Sequence, residues 1–213
     1  GVRKIATDNN IVLIFDECTS GFRETFGGLH KKYSIEPDMA LFSKALGNGY
    51  AISAVIGIQE VMEATQSTFI SSTFWTERIG PTAALKTLEV MEREKSWEQI
   101  TSTGKTIGNR WHALAEKHDL PIEISGLPAL VNFNIPVDNW LKYKTLISQE
   151  MLKQGYLATN SVYVCIEHTD QVVNAYFEKL DSVFSIIMDC ENGQDVDRLL
   201  EGPVCHAGFK RLN

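Results

Sequence analysis

Residues 11–17, with the sequence IVLIFDE, decide the fold, because five consecutive apolar residues run directly into two carboxylates. A short apolar run without polar alternation is typical of a strand that is buried on both faces of a parallel sheet. Two similar runs follow, MALF at residues 39–42 and AVIGI at residues 54–58. Covered sheets usually have more than three strands, so we expect further strands to precede this stretch. The sequence therefore predicts an α/β fold with a mostly parallel sheet.

The pattern of the chain changes near residue 97. Residues 1–97 are predicted to form part of a large α/β domain, and residues 98–213 a small α+β carboxy-terminal domain. Apolar positions at helical spacing predict helices over 79–94, 98–117 and 140–154. A further helix is predicted after residues 168–170, with the sequence HTD, which are expected to cap it. Shorter apolar runs predict strands over 122–125, 129–135 and 163–166.

The composition of the 213 residues excludes several classes of protein. The formal net charge is −7 and no block of lysine and arginine is present, so we expect no nucleic-acid partner. No apolar run approaches the roughly 20 residues that span a bilayer, so we expect no membrane segment. The four cysteines form no C-x-x-C pair, and their spacing suggests neither a disulfide framework nor a metal site. These features favour a reducing, cytoplasmic location.

Polar residues follow the first two apolar runs. Asp16 and Glu17 end the first run, and Ser43 and Lys44 follow the second. Ligand sites in open α/β sheets form at the carboxyl ends of strands, and the 28 positions from Asp16 to Lys44 allow the crossover that joins two parallel strands. We therefore expect Asp16 and Lys44 to lie at one edge of the sheet.

Asp16 and Lys44 each also have an ordinary structural explanation. Asp16 could cap a turn, and Lys44 could be solvated or paired with a surface carboxylate. The flexible sequence GNG follows shortly after Lys44, at residues 47–49. When Asp16 and Lys44 are considered together, this flexible segment favours a ligand site over the structural explanations.

Two segments resemble the motifs of a known enzyme family. The sequence IFDECTSGFR at residues 14–23 resembles the acid-strand motif of class III aminotransferases, and PDMALFSKALGNGY at residues 37–50 resembles their lysine motif. The separation of the two motifs matches the family as well. Within the family, FGGLH at residues 26–30 and the ending GFKRLN at residues 208–213 are similar to glutamate-1-semialdehyde aminomutases and their aminotransferase relatives.

The resemblance implies pyridoxal 5′-phosphate (PLP) as cofactor and part of a fold type I PLP-enzyme domain. By resemblance, Lys44 binds the cofactor aldehyde and later moves the substrate proton, while Asp16 pairs with the pyridinium nitrogen. Ser43 would support the lysine loop. Cys18 departs from the family, which usually has a valine lying against the cofactor ring. A cysteine can pack there as a small apolar residue, and it is also a reactive thiol beside the cofactor aldehyde.

Thr73, in the sequence SSTFWT at residues 71–76, resembles the family threonine that binds the cofactor phosphate of the neighbouring subunit. A hydroxyl is a common phosphate donor, although a loop hydroxyl can also be satisfied locally. The first explanation implies a homodimer with shared sites.

The resemblance implies an enzyme that transfers an amino group between an amino donor and an oxo acceptor, or a 1,2-aminomutase. Two alternatives stay open. The chain could be a truncated, non-catalytic module that dimerises or binds a partner, because a sheet without its full set of strands exposes an edge and apolar surface. It could also be an unrelated lysine-dependent aldolase, against which the lack of a repeated βα pattern argues. The amino-terminal half of the family, with its phosphate-binding loop, is not part of these residues, so we expect weak or no turnover from the chain alone.

Overall fold

The computed structural model describes residues 1–208, which fall into two compact units, Gly1–Gln99 and the described residues from Ile100 onward. The first unit contains α1 (Val2–Asp8), β1 (Ile14–Asp16), a 3₁₀ helix (Leu29–Tyr33), β2 (Met39–Phe42), a 3₁₀ helix (Lys44–Leu46), β3 (Ala54–Gly57), α2 (Gln59–Met62), a 3₁₀ helix (Glu63–Ser67) and α3 (Ile79–Glu94). Helix α4 (Ser96–Lys117) leads into the second unit. There the chain forms β4 (Glu123–Ser125), a 3₁₀ helix (Pro128–Leu130), β5 (Asn132–Asn134), α5 (Trp140–Lys153), α6 (Asp170–Glu191) and a 3₁₀ helix (Val196–Arg198).

The three predicted apolar runs form the sheet of the first unit, in the order β1-β2-β3. β1 and β2 are parallel, with Asp16 opposite Leu41, and β3 pairs with β2 in the antiparallel sense. The prediction that the first strand is buried on both faces is wrong for the described residues, because Ile14 is 51% exposed. β1 is an edge strand of this sheet, and only the central strand β2 alternates between buried and half-buried positions.

The start of β1 is fixed against β2 by Asp38. The backbone N–H of Leu13 donates to Oδ2 of Asp38 at 2.7 Å, and Arg3 Nη1 lies 2.9 Å from the same oxygen. The hydrogen bond from Leu13 and then that from Arg3 hold the pKa of Asp38 below its ordinary value. Because a one-residue shift would turn every side chain of a strand to the other face, these contacts help to set which face Asp16 occupies.

A small core lies beside β2, made of Ala40, Phe42, Leu46 and Ala84. The ring of Phe22 packs on Phe42 with a centroid distance of 5.5 Å. This core ties the turn after β1 to the segment after β2, which are the two segments that carry the resemblance to the family.

The second unit has a larger core. Its fully buried side chains include Trp111 on α4, Phe133 on β5, and Leu180 and Phe184 on α6. The predicted helices are confirmed with shifts of one or two residues, and the side chain of Thr169 caps α6 by accepting from the Val172 N–H.

The strand predicted over residues 163–166 is wrong. The Val162 and Val164 N–H groups donate to Val131 O and Ala129 O at 2.9 and 3.0 Å, but no strand forms in this part of the described chain. The 3₁₀ helix Pro128–Leu130 stands where the partner strand would continue, so the ladder ends after these bonds. The same helix shortens the strand predicted over 129–135.

Two predictions concern features that residues 1–208 test only in part. No helix in the described residues is long and apolar enough to cross a membrane. Within the same residues, no group of three or more histidines, cysteines and carboxylates could hold a metal ion.

Of the ending GFKRLN, only Gly208 is described, so its resemblance to the family lies outside the described residues.

Candidate active site

Asp16 and Lys44 lie at the same edge of the sheet of the first unit. Asp16 is the last residue of β1, and Lys44 follows the last residue of β2 by two positions. Because β1 and β2 are parallel, their carboxyl ends meet at one edge, as expected from the sequence. Both side chains are exposed there, where a ligand could reach them.

The carboxylate of Asp16 is stabilised in its ionised form. Its Oδ1 accepts the backbone N–H of Cys18 at 3.0 Å. This hydrogen bond is the largest cause of the lowered pKa of Asp16, and the hydrogen bond with the Cys18 side chain is the next. Burial raises that pKa, and the positive charge of Lys44 lowers it further. Asp16 is therefore an anion at neutral pH, which is the state that a cationic ring nitrogen requires.

The backbone at Lys44 is strained. Its φ is +38°, a region that residues other than glycine rarely adopt, and it opens the 3₁₀ helix that follows β2. Such strain is held by the surrounding structure and clusters at functional sites. A Cβ at Gly47 would collide with the carbonyl oxygen of Tyr50, so only glycine fits where this loop turns back.

The amine of Lys44 is held by the turn after β1. Nζ donates a hydrogen bond to Oγ1 of Thr19. Ser43, the residue before the lysine, donates its hydroxyl to the carbonyl oxygen of Ile52 at 3.2 Å. Ser43 thus links the two ends of the lysine loop, and its supporting role for the lysine stays a prediction.

Cys18 interacts with both charged groups. The hydrogen bond between its side chain and Asp16 is the largest cause of a raised thiol pKa, followed by burial and the negative charge of Asp16, while Lys44 acts in the opposite direction. The thiol is therefore protonated at neutral pH, and it is only partly exposed. This state suits a small packing residue better than a nucleophile.

Thr73 lies in the exposed turn 73–76, ahead of α3. Its assignment to the phosphate of a neighbouring subunit stays a prediction.

Three polar residues that the sequence analysis did not select lie in the same region: Glu17, Thr19 and His30. Glu17 is buried, and its carboxylate accepts hydrogen bonds from Ser20 and from His30. A charged residue at the end of an apolar run was the available signal for Glu17. Thr19 and His30 had no such signal, because their roles depend on chain segments that meet only in the folded structure.

The groups at this edge fit PLP. An exposed amine can bind an aldehyde, an ionised carboxylate can pair with a protonated ring nitrogen, and a partly buried thiol can pack against a flat ring. Lys44, Asp16 and Cys18 supply these groups, and the first two lie at the ends of neighbouring parallel strands.

Comparisons with known proteins agree with this geometry. A family model described as aminotransferase class-III matches residues 1–177. The 3-aminobutyryl-CoA aminotransferase of Cloacimonas acidaminovorans (strain Evry) is 34% identical over 179 residues, which are 80% of this chain and 42% of that protein. The glutamate-1-semialdehyde 2,1-aminomutase of Methanocaldococcus jannaschii is 28% identical over 204 residues, covering 86% of this chain and 47% of that protein.

Solved structures show the same fold. The FumI protein of Sphingopyxis sp. MTA144, in its PLP internal aldimine form, matches 92% of this chain with a TM-score of 0.83 and 22% identity. An omega-transaminase from Sphaerobacter thermophilus matches 86% of it with a TM-score of 0.77 and 18% identity. This chain covers 48% and 46% of those two chains.

The chain therefore spans less than half the length of the two curated relatives described above. The family model nevertheless covers most of it and includes both segments that meet at the edge of the sheet. The chain belongs to the class-III aminotransferases, a family of PLP-dependent enzymes with the type I fold.

Proposed function

We propose that the protein containing this chain is a PLP-dependent aminotransferase, in which Lys44 binds the cofactor aldehyde and Asp16 pairs with the ring nitrogen. The observation that carries the proposal is the meeting of these two residues at the carboxyl ends of β1 and β2, with Asp16 held as an anion by the Cys18 N–H. The match of the family model over residues 1–177 supports the same assignment.

Bound PLP supplies an electron sink for charge that develops at the substrate carbon. Asp16 would keep the ring nitrogen protonated through its ionised carboxylate, which is the condition for that sink to work. Lys44 Nζ would take the proton from the substrate carbon and return it at the new position. Oγ1 of Thr19 offers Nζ a hydrogen-bond acceptor when the amine is not covalently bound.

The substrates we propose are a small-molecule amino donor and an oxo acceptor. The similar proteins suggest two specific tests, amino transfer from 3-aminobutyryl-CoA and the 1,2-shift of glutamate-1-semialdehyde. The first needs an acceptor such as 2-oxoglutarate, whereas the second needs none. Product analysis with and without the acceptor therefore separates a transferase from an aminomutase.

We also propose a homodimer in which the segment around Thr73 contacts the neighbouring copy. This segment exposes large apolar side chains, since Phe69 is 94% and Trp75 is 69% exposed. Such side chains are usually covered by another surface. Light scattering coupled to size exclusion tests the association, and a monomer at micromolar concentration would contradict it.

The experiment for the enzymatic function is an assay of amino-group transfer with the Lys44→Ala variant as control. We expect turnover in the protein that contains this chain to fall by orders of magnitude in the variant, because no other group takes over both covalent binding and proton transfer. Turnover that persists in Lys44→Ala would contradict the assignment. The 213 residues alone are expected to show weak or no turnover.

A second candidate is a non-catalytic module that dimerises or binds a partner. Its support is the exposed apolar sheet, where Ile14 on β1 and Val55 and Ile56 on β3 are each about half exposed. Light scattering with and without PLP separates the candidates. If the association is the same with and without PLP, and no cofactor is found on Lys44, the non-catalytic module is favoured.

A further inference from the structure

Glu17 is a buried carboxylate that the proposed chemistry does not use. It is 4% exposed and is the one buried acidic residue among residues 1–208. Taking a carboxylate out of water is costly unless hydrogen bonds compensate for the lost solvent. Its place directly after Asp16 raises the question of what the burial achieves.

The carboxylate of Glu17 collects donors from two segments of the chain. Oε1 accepts the backbone N–H of His30 at 3.1 Å and lies 3.1 Å from Nδ1 of the same residue. The hydroxyl of Ser20 donates to Oε2. Burial alone would raise the pKa of Glu17, but the hydrogen bonds from Ser20, from the Leu29 N–H and from His30 outweigh it, so the pKa is lowered. Glu17 is thus an ionised carboxylate that holds Ser20 and His30 through hydrogen bonds.

The surroundings are shaped to hold this pair. A Cβ at Gly28 would collide with the ring of His30 and come within 3.0 Å of the Glu17 carboxylate, so this position has no room for a side chain. The ring of His30 is 9% exposed and packs on Phe15 with a centroid distance of 6.0 Å. Glu17 and His30 therefore occupy a closed, well-packed position.

The backbone of Glu17 is fixed as well. Its N–H donates to Leu41 O at 2.9 Å, and its carbonyl oxygen accepts from the Gly21 N–H at 2.8 Å. The turn that Glu17 closes contains Cys18, whose N–H binds Asp16, and Thr19, whose hydroxyl binds Lys44. The hydrogen bond that Asp16 accepts from Cys18 and the one that Lys44 donates to Thr19 are therefore both made with this turn.

We infer that Glu17 and His30 are a buried positioning pair, which fixes the turn after β1 so that Asp16 and Thr19 are presented to Lys44 and to the cofactor. The inference rests on the proposed function for its link to PLP. The fixation of Asp16 by Glu17 is a property of the chain itself and can be measured without cofactor.

The test compares Glu17→Gln and His30→Phe with Glu36→Gln, an exposed glutamate of the same unit. Glutamine turns at least one amide N–H toward the donors of Glu17, whereas phenylalanine removes one donor and keeps the ring packing on Phe15. Without PLP, we expect hydrogen exchange of the Cys18 amide to accelerate by about tenfold or more in Glu17→Gln and less in His30→Phe, because local opening then costs less free energy. The control should exchange like the wild type.

The second measurement is the dissociation constant for PLP. It is obtained from the amount of PLP that borohydride traps on Lys44 at increasing PLP concentrations. We expect it to rise about tenfold in Glu17→Gln, with a smaller rise in His30→Phe and none in Glu36→Gln. Unchanged Cys18 exchange in both variants would overturn the inference. Faster exchange with unchanged capture on Lys44 would also overturn it, since the pair would then be structural only.

Failure of the proposed function gives a different result. The wild-type protein that contains this chain would then capture no PLP on Lys44 under any condition. Faster Cys18 exchange in Glu17→Gln would in that case still support the fixation of Asp16 by Glu17, and unchanged exchange would reject it.

Discussion

Lys44 Nζ donates a hydrogen bond to Oγ1 of Thr19, a residue 25 positions earlier in the chain. The bond joins the turn after β1 to the loop after β2, and these are the segments that carry Asp16 and Lys44. An amine on a flexible stem has many positions available to it, so a fixed acceptor reduces the freedom that must be lost before it binds an aldehyde.

Thr19→Val removes the acceptor while it keeps the shape of the side chain. We expect the share of borohydride-trapped PLP that lies on Lys44, relative to other lysines, to fall by about fivefold, which corresponds to a net hydrogen bond of ~1 kcal/mol. Peptide mass spectrometry measures this share. Thr68→Val, in which an exposed hydroxyl of the same unit is lost, is the control and should not change it. An equal share in the two variants would show that Thr19 has no part in holding the amine.

Asp16→Asn should make Cys18 more reactive. The hydrogen bond and negative charge of Asp16 raise the pKa of the thiol, so loss of the charge lowers that pKa and increases the thiolate fraction at mildly alkaline pH. Alkylation of Cys18 should accelerate, by up to about tenfold for each unit by which the pKa falls. Cys165, which is exposed in the second unit, serves as the control within the same molecule. Slower or unchanged labelling of Cys18 would contradict the described contact.

The lowered pKa of Asp38 predicts that the free energy of unfolding depends on pH in the acidic range. Its folded-state pKa is lowered by hydrogen bonds from Leu13 and Arg3, so its contribution to stability is present above the unfolded pKa. That contribution is lost as the pH falls through the lowered folded pKa. The difference in free energy of unfolding between the wild type and Asp38→Asn should therefore shrink between about pH 5 and pH 3. Urea unfolding at several pH values measures it, and a difference independent of pH would count against the ionised contact.

Two glycines of α4 should respond in opposite ways to alanine. A Cβ at Gly104 would collide with the carbonyl oxygen of Pro128, whereas a Cβ at Gly108 would make only ordinary side-chain contacts at 3.4 Å. We expect Gly104→Ala to destabilise the second unit by about 2 kcal/mol or more, because backbone must shift. Gly108→Ala should be neutral or stabilise by up to ~1 kcal/mol through helix propensity. Thermal unfolding followed by circular dichroism compares them, and similar effects would contradict the close approach of α4 to Pro128.

The apolar runs and the polar residues after them were enough to predict the central features of the first unit. The continuous apolar run before Asp16 predicted a strand, and Asp16-Glu17 marked its end. Burial on both faces of β1 could not be read in this way, because it depends on which surfaces pack against the strand. Ile14 is apolar, as a covered strand requires, and yet it is half exposed in the described chain.

The contacts that complete the candidate site arise from the folded chain. Glu17 and His30 are 13 positions apart, and their bond depends on the turn that brings the helix Leu29–Tyr33 to the end of β1. The spacing of apolar residues in the sequence does not predict a contact of this kind. The strand expected over 163–166 failed for a related reason, since its partner segment turns into a 3₁₀ helix at Pro128.

The most direct test of the central claim is the position at which PLP attaches to the chain. PLP is added to the purified protein, borohydride fixes the adduct, and mass spectrometry identifies the modified lysines. The account predicts a pyridoxyl group on Lys44, and much less of it in Asp16→Ala. Adducts spread over surface lysines, without preference for Lys44 and without dependence on Asp16, would contradict it.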